Sequence, residues 1–410
     1  MFRIVVKNIQ SNYFEYALYL LTVSLFFGNA FVSIATVVFY FTLLPNMFNY
    51  KAIKFKNLFF IKPFLLMVSH FLVSFLVLCA TSSSLNEVLV IEKYLPFLLF
   101  PIIILNNRDI LINKQIAFNV RLIFIVTALF SFAMSFLYGL WRMFFLEENI
   151  NHIFITYNFL TDLFGVHHIY LSSFYALALI FCLDNYFDHA IDTRKKYLLF
   201  SIILFLAIIL LSSRTVILAT VAIIFIKIML NKKKKLKKVL SIFFSTILFG
   251  IILTISIPTL KNRIVNFNTN ISSYSGSSFR LKVWSNVFEI SKDSPVFGYG
   301  LNKSQDVLLN QYYKVNFRRA FLRNFNAHNQ YLQTIIDEGL IGFIFLLLML
   351  LSPLFYSKKR DSVFLFTILM LIVLISESFL IRQYGIVFYC LFFCLLLIEN
   401  NNYLPKLKPY

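Results

Sequence analysis

Apolar residues in this chain fall in long unbroken runs, not in the period-two alternation of a half-buried strand. They predict helices over about 14–28, 30–47, 60–80, 88–106, 120–141, 168–184, 197–211, 214–230, 239–257, 334–355, 362–378 and 384–399. A run of roughly 18 or more apolar residues crosses a bilayer core of about 30 Å. The pattern therefore predicts an all-α polytopic membrane protein with about 12 transmembrane helices. The first run follows a short start with Arg3 and Lys7, and no small-residue cleavage pattern follows it, so it is expected to insert and stay.

Two polar interruptions are longer than turns. One covers 142–167. The other, 258–333, opens at Pro258, runs through NFNTNISSYSGSS and continues as FRLKVWSNVFEISKDSPVFGYG. Loops longer than about 15 residues in a compact protein usually carry function or are disordered. Phe279, Val283, Phe288 and Ile290 recur at helical spacing, which predicts an amphipathic helix folded against the membrane part. The chain thus divides into 1–257 (the first nine helices), 258–333 (one large loop) and 334–410 (the last three helices and a short tail).

Composition agrees: 60% of the 410 residues are hydrophobic and mean hydropathy is +0.79, against about 45–50% apolar in an average soluble domain. The net charge of +20 would suit nucleic acid, but its distribution does not. Basic residues gather in alternate loops: Lys51/Lys54/Lys56/Lys62, Arg108/Lys114/Arg121, Arg194/Lys195/Lys196, Lys232 to Lys238 and Lys358/Lys359/Arg360. That alternation is the positive-inside pattern, and it places both termini in the cytoplasm and 258–333 outside. The partners it predicts are membrane lipids, not nucleic acid. The outer loop is nevertheless basic, either as ordinary solvated charge or to meet an anionic substrate. Cys79, Cys182, Cys390 and Cys394 all sit in apolar runs and read as small buried hydrophobes.

Candidate chemistry lies on the outer side. Arg214, in LSSRTVILAT, occupies a short turn between two apolar helices; an arginine there either snorkels to headgroups or has a partner. Its planar fork suits phosphate. Arg280, behind SYSGSS, stands near a predicted helix start, where backbone N–H groups can add to an anion site. Arg319 and Arg323 add charge to the same loop. His328 and Asn329 head the helix expected from 334, Glu338 follows in it, and an imidazole there can take a proton from a sugar hydroxyl. Gly339 and Gly342 suit close helix packing. His168 and Glu377, at outer helix ends, either join the site or anchor those ends. There is no Asp-x-Asp triplet, nucleotide-binding glycine motif or zinc spacing, which points to phosphate handling with no metal and no cofactor.

Three segments in this order carry a resemblance: SSRT; FRLKVWSNVFEISKDSPVFGYG, with an R-x(3)-W…P-x-x-G-x-G pattern; and NAHNQYLQTIIDEGLIGF, with HN-x-x-L…E-x-G-x-x-G. Together they resemble the O-antigen ligase and O-antigen polymerase superfamily, membrane glycosyltransferases of the bacterial envelope. The resemblance implies a GT-C-like fold in the bacterial inner membrane, with its active site facing the periplasm. It implies a polyprenyl-diphosphate-linked glycan as donor. Carried over by position, Arg214 and Arg280 would hold the diphosphate, and His328 would deprotonate or orient the acceptor hydroxyl.

A ligase would deliver the glycan to lipid A-core, and a polymerase would deliver it to another lipid-linked glycan. Both cleave the same bond, so the motifs leave both open, with the ligase preferred for the compact chain and its single dominant loop. A lipid-linked sugar transporter or flippase is the rival of another class. Against it, the sequence has no inverted repeat and no matched pair of glycine- or proline-broken helices.

Overall fold

The computed structural model describes residues 2–43, 62–82, 88–145, 158–188, 191–229, 276–355, 357 and 361–399, and every secondary-structure element among these described residues is helical. The main helices are α1 (Phe2–Ser24), α2 (Asn29–Tyr40), α3 (Lys62–Thr81), α4 (Leu95–Asn106), α5 (Lys114–Phe145), α6 (His168–Asp188) and α7 (Ile191–Leu210). They continue with α8 (Arg214–Met229), α9 (Gly276–Ser291), α10 (Ser304–Lys314), α11 (Arg318–Leu322), α12 (Gln330–Leu351), α13 (Ser362–Val373) and α14 (Gln383–Glu399).

A helix stands at each apolar run read from the sequence except 239–257, which lies outside the described residues together with Lys51, Lys54, Lys56 and Lys232 to Lys238. Among the described residues, five stretches are long and apolar enough to cross a membrane: Lys62–Thr81, Leu89–Asn106, Lys114–Phe145, His168–Phe187 and Gln330–Phe355. Asn29–Leu43, Ser362–Val373 and Gln383–Glu399 are apolar but shorter.

The helices form two compact units. The first contains α1, α2, α5 to α8 and nearly all of α13. Its centre is α6, buried around its whole circumference and packed along α5, α7 and α8. The Phe26 ring lies 5.1 Å from Phe124 and 5.6 Å from Phe174. Toward the C-terminal end of α6, buried Asp184 accepts hydrogen bonds from Arg121 of α5 (3.3 Å), from Lys227 of α8 and from Ser362 of α13. A carboxylate among apolar helices persists only when paired in this way.

The second unit contains α3, α4, α9 to α12 and α14. Here α3 packs on α12 and on α4, α4 packs on α14, and α9 packs on α12 and α10. Much of the polar segment 258–333 is therefore helical, its residues 276–322 carrying α9, α10 and α11. The expected amphipathic helix is α9, with one change of register. Val283, Val287 and Ile290 form its buried stripe, while Phe288, expected on that stripe, is 57% exposed. Val287 takes the inward position because 283, 287 and 290 follow the 3.6-residue period more closely than 283, 288 and 290 do.

Candidate functional site

The site in the second unit is built on the head of α12. Asn329 has an extended backbone (φ −161°, ψ 116°) and its side-chain oxygen accepts the Leu332 N–H at 3.1 Å, so it serves as the helix N-cap. The preceding residue, His328, holds a left-handed backbone (φ 46°), a conformation that bulky residues avoid unless the surroundings enforce it. The Asn326 side chain accepts the His328 N–H at 2.9 Å, and the Gln333 side chain accepts the Ala327 N–H at 3.0 Å. Phe325 sets its ring edge against the imidazole at 5.2 Å.

The stretch after α13 closes around the same point. Gln330 N–H donates to Leu374 O (2.9 Å), Asn329 N–H to Ser378 Oγ (3.2 Å), and Leu380 N–H to Gln330 Oε1 (2.7 Å). These bonds hold Glu377 in place, and its Oε2 lies 3.5 Å from His328 Nδ1. The glutamate is 3% exposed and the histidine 25%, so the carboxylate is enclosed while the imidazole reaches an open edge. Two of the residues singled out in the sequence are thereby brought together across 49 positions of chain.

The second motif is bound to the third at two places. Trp284 donates its indole N–H to Ala327 O at 3.1 Å, next to His328. Arg280 stands four residues earlier, on the same face of α9 as Trp284, and is half-buried. The segment Pro295 to Gly300 then joins α12 at an interruption of the helix. Tyr299 and Gly300 donate their backbone N–H groups to Ile336 O (2.8 Å) and Asp337 O (2.9 Å), and Leu340 N–H donates to Pro295 O (2.8 Å). The interruption is at Gly339, with φ 67° and ψ −163°. A Cβ there would fall 2.2 Å from Val296 O, and one on Gly298 would fall 2.7 Å from Glu338 N. Tyr299 also donates its hydroxyl to Ile290 O at 2.7 Å, tying the end of α9 to this junction. Burial, and secondarily Asp293, raise its pKa.

Gly339 therefore does not serve the close helix packing expected of it: it breaks α12 to admit another backbone segment. Gly342 makes room for the Glu338 side chain, which a Cβ would approach to 2.2 Å. That side chain is directed into the bundle. Ser74 of α3 donates to its Oε1 at 2.7 Å, and its Oε2 lies 3.8 Å from His70 Nδ1. Asp337 accepts from Ser304 Oγ and, at 2.9 Å, from Gln333 Nε2. His70 and Ser74 were missed in the sequence reading. The signal was an ionisable and a hydroxyl residue four apart in an apolar run, hence on one helix face. Asp184 was missed in the same way.

Arg319 and Arg323 are exposed around α11, and the Arg319 guanidinium covers the Phe279 ring at 5.7 Å. Arg214 and His168 belong to the first unit. Arg214 is exposed at the first position of α8, after Ser212 with φ 54°. His168 opens α6, its ring 4.3 Å from that of His167.

Residues 199–347 of the 410 match the family model described as O-antigen ligase. The match spans all three motif segments and supports the O-antigen ligase and polymerase superfamily, and with the apolar helices it indicates an integral membrane protein. Over 100 residues the chain is 30% identical to an uncharacterized protein of Haemophilus influenzae. That similarity covers 24% of this chain and 25% of the relative's length.

Proposed function

We propose that this chain is a membrane glycosyltransferase of bacterial envelope polysaccharide assembly. It takes a glycan from a polyprenyl diphosphate at the periplasmic face and, as an O-antigen ligase, passes it to lipid A-core. The observation that carries the reading is the His328–Glu377 pair at the open head of α12, in which His328 lies inside the stretch that matches the ligase family and Glu377 follows it in the chain.

A carboxylate facing Nδ1 favours the tautomer protonated there and leaves Nε2 as the acceptor. Nε2 then orients the acceptor hydroxyl and receives its proton as the new glycosidic bond forms. The bond from the sugar's anomeric carbon to the diphosphate oxygen breaks, and the diphosphate departs with the electron pair. Arg280 and Arg214 hold that anion, and fixed cations facing a developing charge lower the barrier. Asn329 sets the histidine by capping α12, and Arg319, Arg323 and His168 complete the binding surface. Glu338 supports the site from within the bundle. The chemistry as proposed uses no metal and no cofactor.

The test is the lipopolysaccharide profile of a deletion strain. Long chains retained on the lipid carrier, with bare lipid A-core, are the expected result. Single-repeat glycans on lipid A-core would assign the chain as the polymerase instead. Bare lipid A-core with single carrier-linked units trapped on the cytoplasmic side would assign it as a flippase.

A further inference from the structure

We propose that the α10–α11 hairpin is a seat for an anionic lipid surface at the face of the membrane where α12 begins. The hairpin already has a satisfied inner side. Tyr312, Phe317 and Ala320 are buried over Val283 and Val287 of α9, and Phe317 N–H closes the turn on Tyr312 O at 2.7 Å. Asn316, at φ 52°, reverses the chain between the two short helices.

A second apolar set points the other way. Tyr313 is 72% exposed and Leu322 68%, Phe321 is also exposed, and the Tyr313 and Phe321 rings meet at 5.6 Å. Lys314, Arg318 and Arg323 are interleaved with them, all exposed. From Val307 to Ile336 the chain contains no aspartate or glutamate. An outward face that combines aromatic and aliphatic side chains with cations, and whose one carboxylate, exposed Asp306, stands two turns before Tyr313 at the start of α10, matches the boundary between headgroups and acyl chains. Anionic headgroups complement the cations. Position agrees, because the spanning stretch starts at Gln330, eight residues after Leu322.

This inference does not depend on the glycosyl-transfer reading, and its test reads lipid contact and not turnover. The whole protein is placed in nanodiscs of phosphatidylcholine alone, or of equal parts phosphatidylcholine and phosphatidylglycerol. Amide hydrogen exchange is then followed over 313–322. The expected result is exchange slower by about tenfold or more in the anionic discs. The double variant Arg318→Glu/Arg323→Glu should return to the phosphatidylcholine rate. In the same sample, unchanged protection of Val283 to Ile290 shows that the fold beneath is intact. If those amides lose protection, Leu322→Ser takes the place of the double variant, with the same return to the phosphatidylcholine rate expected. Equal exchange in both lipids overturns the proposal, as does slowing that survives both substitutions. Protection that tracks the number of protein copies per disc, or that needs an added glycolipid acceptor, also overturns it.

Discussion

Replacing Gly339 by alanine tests the junction between the segment Pro295 to Gly300 and α12. The perturbation has two parts. The backbone at φ 67°, ψ −163° lies in a region open almost solely to glycine, and a side chain there costs about 1–3 kcal/mol. The new Cβ would also stand 2.2 Å from Val296 O, 2.3 Å from Val296 C and 2.5 Å from Phe297 N. These are backbone atoms that no rotamer change moves aside, and relieving such overlap costs about 1–3 kcal/mol more. The sum is at least about 2 kcal/mol, or roughly thirtyfold in the local opening equilibrium.

The assay is amide exchange at Tyr299, Gly300 and Leu340, whose N–H groups make the junction's hydrogen bonds. Their protection should fall by about thirtyfold or more, since local exchange reports the free energy of local opening. Gly165→Ala supplies the comparison. Its φ is 64° and its Cβ would meet nothing within 4 Å, so only the conformational part remains. If Gly339→Ala loosens its junction no more than Gly165→Ala loosens the turn at Gly165, the steric account of Gly339 is wrong.

Arg214→Ala and Arg280→Ala are each expected to lower transfer by about a hundredfold or more at unchanged protein level, and lysine should rescue poorly because it lacks the fork; near-normal rates in a carrier-diphosphate assay would remove them from the mechanism. His328→Ala should lose most turnover and Glu377→Gln a smaller part, while His152→Ala and His189→Ala, outside the described residues, stay nearly silent. Activity of the purified enzyme should survive EDTA, and loss restored by magnesium would refute metal-free transfer. Asp184→Ala leaves the cations of Arg121 and Lys227 without their shared carboxylate, so thermal stability in detergent should drop by about 3–5 kcal/mol; a change within error would show that the cluster is not a structural ion network. Reporter fusions at Lys234 and Lys359 should report cytoplasm, and fusions near Ser275 and Asn316 periplasm; the reverse would place the proposed site on the wrong side.

The helices were legible because a run of apolar residues is a one-dimensional signal that needs no partner. His328 and Arg280 were legible for a similar reason, each standing in a short ordered motif. The meaning of the motifs was not, because it lies between them. The glycine of the third motif looks like helix packing until the P-x-x-G-x-G segment is seen donating and accepting backbone hydrogen bonds where Gly339 breaks the helix. The tryptophan of the second motif is only a letter of the R-x(3)-W pattern until its indole N–H is found on Ala327, beside the histidine. Glu338 looks like a companion of His328 on the same helix, yet its partner Ser74 is 264 positions away and draws it into the bundle. In each case the deciding contact is non-local, so periodicity and spacing marked the residue without stating its task. The open imidazole backed by buried Glu377 follows the same rule. Glu377 read as a residue at a helix end that either joins the site or anchors that end, and the chain's return from α13 is what sets it 3.5 Å from His328 Nδ1. Changes at Ser378 or Gln330, which hold that return, should therefore reach the histidine without touching it.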